Sequence, residues 1–363
     1  MTKHSLSRRN FTGLMGASAL AALSLAGCGT QVGSGSDSSE GAADKVTKEV
    51  KDMTADEEKE AWEKEPYYGK TLQAGYNGGV CLGAFGIAQV KGFYEEEGLD
   101  VEIVSTTSAS DAVGTGKCQV SGDHIATLLV PAINGVKLTF TVGCQSGCKG
   151  LYVLADSAYQ STSDLASKSI AIPDGVGNSD QNIGMRFLGH DGVDINTIDW
   201  KVVTTDAVVQ AMQNGEIDAA ILSDQFAKKF VDAGTLRVVR SLTFDSDYQQ
   251  EPCCIVAFNS DFIAENPVTA KKFTRAFRNA SLWINENKSD ALDLMFENNW
   301  ASGDKDAAFE IMSDFNFDMS EELTRKALLS IIEDYKKYGI ITATDDAETL
   351  LGKVWAPVLG DEA

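Results

Sequence analysis

The pattern of apolar and polar positions is clearest over residues 72–105, where its period changes twice. Residues 72–76 form a short apolar-rich run, and Asn77-Gly78-Gly79 supplies turn residues that accept positive φ angles. Apolar residues then recur at spacings of three and four over residues 82–97, which predicts an amphipathic helix, and residues 101–105 alternate as a half-buried strand does. The stretch therefore predicts a β-α-β unit with a right-handed crossover, the opening of an α/β domain.

Similar strand and helix patterns continue along the chain. A second α/β set begins at Ser163, and a predicted strand over residues 253–259 then leads into helices with apolar stripes. We predict one lobe built from residues 67–157 and 253–363, interrupted by a second lobe of residues 158–252. Two segments that cross between lobes form a hinge, so the cleft between the lobes is the predicted binding site.

The N-terminus carries targeting signals. Ser7-Arg8-Arg9-Asn10-Phe11 matches the twin-arginine export pattern, and an uncharged stretch follows it up to Leu25-Ala26-Gly27-Cys28, a lipobox. We predict that residues 1–27 are a lipoprotein signal peptide and that Cys28 carries the lipid anchor. Residues 28–66 are rich in small and acidic residues and are predicted to be a flexible acidic linker, with a short charged spacer helix near its end.

The run AQVKGFYEEEGLDVE at residues 88–102, after the strand and its Gly-Tyr end, carries a family resemblance. It resembles the first unit of bacterial substrate-binding proteins that deliver sulfonates, taurine, nitrate or thiamine-pyrimidine precursors to ABC importers. The resemblance implies a type II periplasmic-binding-protein fold, with two Rossmann-like lobes joined by a two-strand hinge. It also implies a non-catalytic, monomeric protein without a cofactor, which a lipid anchors to the outer face of the cell membrane. The implied partners are a small solute and the ABC permease and ATPase subunits.

Composition excludes some function classes. The formal net charge of −22 argues against nucleic-acid binding, which needs a basic face. The sequence has no H-E-x-x-H, no phosphate-loop and no G-x-S-x-G motif, so no common catalytic signature is present.

Residues at strand ends are the candidate ligand contacts. The loop over residues 174–179 places glycines and capping hydroxyls where a helix begins, and free N–H groups there attract an anion, although a self-satisfied helix cap is the structural alternative. Asp123 and His124 stand where the resembled proteins place a Gly-Asp motif near the ligand, the alternative being a helix cap and a first-turn residue. We predict an organic anion bound by Tyr76, Asn77, Gly78, Cys81, Thr107, Ser108, Asp123, His124, Gln145, Gly177, Asn178, Ser179, Asp224 and Gln225.

Cysteines are unusually numerous for such a protein. Apart from Cys28, six remain, and three interpretations stay open: disulfides, buried thiols, or a metal site. The candidate ligands for Zn²⁺ or Cu(I) are Cys81, Cys144 and Cys148, with His124 as a further candidate. The alternatives to a binding protein are therefore a redox lipoprotein holding a metal or cofactor, or an enzyme like the fungal thiamine-pyrimidine synthase. That enzyme carries a dense cysteine run, which Cys253-Cys254 of this chain is too sparse to match.

Overall fold

A computed structural model describes residues 50–360. The predicted signal peptide, the lipidated Cys28 and the linker up to residue 49 lie outside the described residues, so these predictions stay untested. Among the residues that are described, no helix combines the length and the apolar character needed to cross a membrane.

Strands and helices alternate through most of the described chain. The strands are β1 Leu72–Gly75, β2 Val101–Val104, β3 Val120–His124, β4 Leu138–Gly143, β5 Lys149–Leu154, β6 Ser169–Ala171, β7 Asp199–Lys201, β8 Ala219–Ser223, β9 Leu236–Ser241 and β10 Cys254–Asn259. The α-helices are α1 Ala55–Trp62, α2 Ala84–Val90, α3 Phe93–Glu96, α4 Ala109–Gly114, α5 Ile125–Ile133, α6 Ser179–His190, α7 Thr205–Gln213, α8 Asp224–Asp232, α9 Ser260–Glu265, α10 Pro267–Glu286, α11 Lys288–Glu297, α12 Lys305–Asp314, α13 Glu321–Lys337 and α14 Ala347–Val354.

Two five-stranded sheets form the centres of two lobes. The first has the strand order β2-β1-β3-β10-β4 and the second the order β7-β6-β8-β5-β9. In each sheet three strands pair in parallel, β2-β1-β3 in the first and β7-β6-β8 in the second, and another strand, β10 or β5, pairs antiparallel with its two neighbours. The chain passes between the sheets twice, once from β4 to β5 and once from β9 to β10. The predicted two-lobed α/β architecture is confirmed.

Strand β5 corrects one predicted boundary. Residues up to 157 were assigned to the first lobe, but β5 lies in the second sheet, where Leu151 pairs with Ile221 and Arg240. Its side chains are buried on both faces, like those of β4. Since the two strands share one hydrophobic pattern, nothing in the local sequence shows which of them begins the second lobe.

The core of the first lobe is aromatic where helices α2 and α10 meet. Phe85 of α2 packs edge-on against Phe277 of α10 with ring centroids 4.9 Å apart, and Phe273 stacks on Tyr94 at 5.0 Å. All four rings are buried. The apolar stripes of the two helices are therefore the surfaces that cover this sheet. The predicted single helix over residues 82–97 is broken at Gly92, whose φ of 81° starts a separate turn.

Residues 50–66 belong to the folded body and are not a solvated spacer as predicted. Val50 is buried, and Lys271 Nζ donates to its carbonyl oxygen at 3.0 Å. Glu58 of α1 pairs with Arg275 of α10 at 2.7 Å. The Glu65 carboxylate accepts from the first backbone N–H groups of α10, at 2.5 and 2.9 Å. This segment docks mainly through charged side chains whose partners in α10 lie about 200 residues further along the chain. Its own sequence therefore contains little hydrophobic signal.

Candidate functional site

The first-lobe loop after β1 is tied down by its own side chains. Asn77 Oδ1 accepts from Thr106 N at 2.6 Å and from Ser105 Oγ at 2.9 Å, so the ends of β1 and β2 are joined. Gly78 has a φ of 90°, and a side chain on it would lie 2.5 Å from the Trp300 carbonyl oxygen. The predicted contact Tyr76 is buried and its hydroxyl donates to Gly79 O at 3.0 Å, so it supports the loop.

The second predicted loop of this lobe begins helix α4. Ser108 caps the helix by accepting from Asp111 N at 3.2 Å, while Thr107 is exposed. The Ser108 hydroxyl is thus engaged in capping, and Thr107 is the member of this pair that remains accessible.

Asp123 and His124 lie in strand β3, and helix α5 begins only at Ile125. Asp123 is therefore not a helix cap and His124 does not lie in the first helical turn. Asp123 Oδ1 accepts from the backbone N–H of His124 at 2.7 Å and lies 3.0 Å from its Nδ1. His124 Nε2 is 3.3 Å from Cys148 Sγ. The Asp123 carboxylate therefore orients the imidazole so that its other nitrogen points to a cysteine.

The glycine loop before α6 is filled by the protein's own polar groups. Lys149, from β5, lies 2.5 Å from both Asp174 and Asp180. Ser179 is fully buried and donates its hydroxyl to Asp174 at 2.6 Å. The backbone N–H of Gly177 donates to Gln181 at 2.7 Å. The helix start is thus capped by the protein's own groups, which was the structural alternative to an anion site. The donors of Gly177 and Ser179 that were predicted to bind an anion already have partners within the protein.

Charges in this loop balance one another. Burial opposes ionisation of Asp174, but the charge of Lys149 and hydrogen bonds from Lys149 and Ser179 outweigh it and lower the pKa of Asp174 to about 2. His124, from the other lobe, also lowers the pKa of Asp174. The loop therefore carries a persistent carboxylate on the side of the cleft that faces His124.

Direct hydrogen bonds join the two lobes at this cleft. Thr127 Oγ1 of α5 donates to Asn178 Oδ1 at 2.9 Å. Asn182 Nδ2 of α6 donates to the carbonyl oxygen of Ala126 at 2.8 Å. The predicted contact Asn178 thus serves as a contact between the lobes.

Asp224 is buried and acts as a support. It accepts from Tyr152 OH at 2.5 Å and from the Thr243 hydroxyl, while Thr243 Oγ1 accepts from Cys148 N at 2.8 Å. Burial outweighs the hydrogen bonds from Thr243 and Tyr152 and raises the pKa of Asp224 to about 6. Its neighbour Gln225 is partly exposed. Asp224 therefore fixes the segment that carries Cys148.

A cluster of thiols lies where both crossings between the lobes pass, next to His124. Cys148 Sγ is 3.1 Å from Cys253 Sγ. One ligand atom from each of His124, Cys148, Cys253 and Cys254 lies within 4.8 Å of all the others. We call these four residues the thiol–imidazole cluster. Cys81 lies beside it, since Cys148 and Cys254 both shift the pKa of the Cys81 thiol, which is raised well above its ordinary value.

Backbone pairing explains why the cluster forms. Strand β10 runs antiparallel to β3 with Cys254 opposite His124, which puts both side chains on one face of the sheet. Cys253 N donates to Gln145 O at 2.8 Å, which joins the two crossing segments. Cys148 has a φ of 105°, a conformation that costs a residue other than glycine about 1–3 kcal/mol. A strained residue is thus held with its thiol in the cluster.

The cluster concentrates negative charge on one sulfur. Hydrogen bonds from Cys148, Cys253 and Cys81 lower the pKa of Cys254 well below that of an ordinary thiol. Burial opposes protonation of His124, but the Cys254 thiolate and the hydrogen bond to Asp123 outweigh it and raise the pKa of His124. None of the six cysteines within residues 50–360 is in a disulfide.

The sequence named only part of this set. Of the predicted metal ligands, His124 and Cys148 are in the cluster, Cys81 lies beside it, and Cys144 is buried outside it. Cys253 and Cys254 were not proposed as ligands. The available signal was that both cysteines open a strand at the second crossing between the lobes, opposite the Cys144–Cys148 crossing. The predicted contact Gln145 is fully buried beside them, with Nε2 3.5 Å from Cys254 Sγ.

Comparisons with known proteins agree with this architecture. A family model described as NMT1/THI5 like matches residues 83–291, more than half of the chain. A Brucella abortus protein named as a binding protein is 23% identical over 286 residues, covering 75% of this chain and 82% of the relative. The 4-amino-5-hydroxymethyl-2-methylpyrimidine phosphate synthase of Schizosaccharomyces pombe is 26% identical over 210 residues, covering 54% of this chain and 60% of the synthase.

A solved structure shares the fold over most of its length. The periplasmic aliphatic sulphonate binding protein of Escherichia coli superposes with a TM-score of 0.64 at 15% identity, covering 79% of this chain and 92% of that protein. At this identity the similarity establishes the two-lobed periplasmic-binding fold.

Proposed function

Because this chain belongs to the NMT1/THI5-like family, we propose that it is an extracytoplasmic solute-binding protein that captures a small solute between its lobes and delivers it to an ABC importer. The observation that carries the proposal is the pair of sheets joined by two crossings, with polar contacts between the lobes at Thr127–Asn178 and Ala126–Asn182. Contacts of this kind form and break as a hinge closes over a ligand. On this proposal the protein binds without catalysing a reaction.

The charged side chains that line the cleft narrow the class of solute that was predicted as an organic anion. Backbone donors of the glycine loop are engaged, and Asp123 and Asp174 add carboxylates that are one-third and two-fifths exposed. An anion alone meets repulsion from these carboxylates, whereas an amino group on the solute is attracted by them. We therefore favour a small anion that also carries an amino group, such as an amino sulfonate or an amino carboxylate.

A matched ligand screen tests the solute class. Thermal unfolding is followed with 2-aminoethanesulfonate against ethanesulfonate, and with 3-aminopropanoate against propanoate, so that each pair differs by one amino group. A solute that binds only the folded protein adds about 2.7 kcal/mol of stability at a hundredfold its Kd. We expect shifts from the amino members and weaker binding by Asp123→Asn. Shifts only from the unsubstituted anions would refute the amino-group proposal, and no shift from any small solute would refute solute binding.

The anchor is tested separately. We propose that lipid on Cys28 holds the protein at the outer face of the membrane, where the importer's permease and ATPase subunits are its partners. Cys28→Ala is expected to release the processed protein into the soluble fraction. Full retention of that variant on membranes would show that another segment anchors it.

An enzyme is the second candidate, favoured by the thiol–imidazole cluster beside the cleft and by the synthase relative. The two candidates differ in what happens to a bound solute. Mass spectrometry of the solute after incubation with the protein is expected to recover it unchanged. Conversion to a new product by the protein alone would establish the enzyme.

A further inference from the structure

The thiol–imidazole cluster has the composition of a metal site. Cys148, Cys253 and Cys254 supply three sulfurs and His124 supplies Nε2, all within 4.8 Å of one another. Three thiolates and one imidazole are a standard closed donor set for Zn²⁺, and sulfur donors also suit Cu(I). From this convergence we propose that the protein binds one thiophilic d¹⁰ metal ion, with Zn²⁺ as its simplest representative, at His124, Cys148, Cys253 and Cys254.

The separations between the ligand atoms are compatible with tetrahedral coordination after side-chain shifts. Zinc–sulfur bonds of about 2.3 Å and zinc–nitrogen bonds of about 2.0 Å place neighbouring ligand atoms roughly 3.5–3.8 Å apart. Cys148 Sγ lies 3.1 Å from Cys253 Sγ and 3.3 Å from His124 Nε2. Coordination therefore requires these two pairs to move apart by roughly 0.2–0.7 Å and any pair near the 4.8 Å limit to approach by about 1 Å, which side-chain rotation supplies.

The groups around the cluster are those that support a metal ligand set. Asp123 holds Nδ1 of the imidazole at 3.0 Å, which leaves Nε2 to face the sulfurs. Gln145 Nε2 lies 3.5 Å from Cys254 Sγ, in position to donate to a bound thiolate. Zn²⁺ displaces the thiol protons to solvent, so the ligands bind as thiolates.

Two unusual features of the crossing segment accompany the cluster. The Oε1 atom of the fully buried Gln145 finds no hydrogen-bond partner in the part of the chain that the structure describes, although buried acceptors almost always have one. Cys148 keeps a φ of 105°, while a thiol serving only as a small apolar group needs no such conformation. Both features lie at the cluster.

The metal would sit where both crossings between the lobes meet. Cys148 comes from the crossing that leaves β4, and Cys253 and Cys254 come from the crossing that enters β10, while His124 ends β3. One ion would therefore bind both hinge segments to the first sheet. Cys81, which is partly exposed, lies beside the cluster.

Elemental analysis of the full chain, purified in detergent without oxygen or chelator, tests the proposal. We expect about one zinc or copper ion per chain, retained in Cys118→Ser and lost in Cys148→Ser and Cys253→Ser. Cys118 is the matched control because it is a buried thiol of the first lobe outside the cluster. If the cluster variants fail to fold, the wild-type protein still decides the question. Co²⁺ added to its metal-free form is expected to give the charge-transfer bands and the intense visible bands of tetrahedral cobalt bound to thiolates.

Two results would overturn the metal site. One is a disulfide between Cys148 and Cys253 in the native protein, detected as protection of both thiols from alkylation after denaturation without reductant. The other is full alkylation of all the thiols together with no metal bound and no cobalt spectrum. Neither result bears on solute binding, which the ligand screen measures separately.

Discussion

Arg186 and Asp334 form an ion pair between the lobes whose loss should open the molecule. Arg186 of α6 donates through Nε to Asp334 of α13 at 2.7 Å, and through its other nitrogens to Glu251 at 2.5 and 2.9 Å. His190 Nε2 also lies 2.7 Å from Asp334. Asp334→Asn removes the charge from the first-lobe side and leaves the Arg186–Glu251 pair in place.

The magnitude follows from burial. The side chains of Arg186 and Asp334 are 7% and 15% exposed. Removing one partner of a fully buried pair costs 3–5 kcal/mol, and a hydrogen bond to a charged group contributes about 1.5–3 kcal/mol. Since water still reaches this pair, we expect about 2 kcal/mol, which lowers the ratio of closed to open molecules about thirtyfold.

Small-angle scattering and amide hydrogen exchange measure this opening without a ligand. Asp334→Asn is expected to increase the radius of gyration and to speed exchange around residues 126–127 and 178–182, where the lobes touch. Glu348→Gln is the matched control, because it removes the carboxylate of an exposed pair with Arg325 that lies wholly within the first lobe. Identical scattering and exchange for the two variants would show that the Arg186–Asp334 pair does not hold the lobes together.

Acid should open the same contact in the wild-type protein. Burial opposes ionisation of Asp334, but hydrogen bonds from His190 and Arg186 outweigh it and lower its pKa. A carboxylate with a lowered pKa stabilises the folded form above its ordinary pKa and loses that contribution as the pH falls through the lowered value. Opening is therefore expected only in strong acid, below the usual titration range of aspartate.

Three further predictions concern stability. Burial outweighs the backbone hydrogen bonds to Glu321 and raises its pKa from 4.5 to about 7. Stability should therefore fall by up to about 3 kcal/mol as the pH rises from about 4.5 to about 7, and Glu321→Gln should abolish that fall in pH-dependent urea unfolding. Ser179→Ala should lower the free energy of unfolding by about 1.5–3 kcal/mol, because its hydroxyl donates to a charged carboxylate, and a change in solute affinity at unchanged stability would contradict this. Limited proteolysis should stop near residue 50, and cleavage continuing to residue 67 would mean that α1 is not docked in solution.

The alternation of strand and helix patterns determined the fold class. The run from β1 to β2, the glycine turn after β1 and the return of the chain at β10 are local features, and each is visible in a few neighbouring residues. The N-terminal docking segment escaped prediction because it is held by ion pairs to α10 rather than by an apolar stripe. The place of β5 escaped because a strand buried on both faces has the same pattern in either sheet.

The site depended on which distant residues meet. The sequence proposed that His124 and Cys148 converge, but only the antiparallel pairing of β10 with β3 shows that Cys254 lies opposite His124. It likewise could not show that Lys149 enters the glycine loop and pairs with Asp174 and Asp180. Contacts of this kind join segments 25 to 130 residues apart along the chain, and their geometry follows from strand register and lobe closure, which no local pattern encodes.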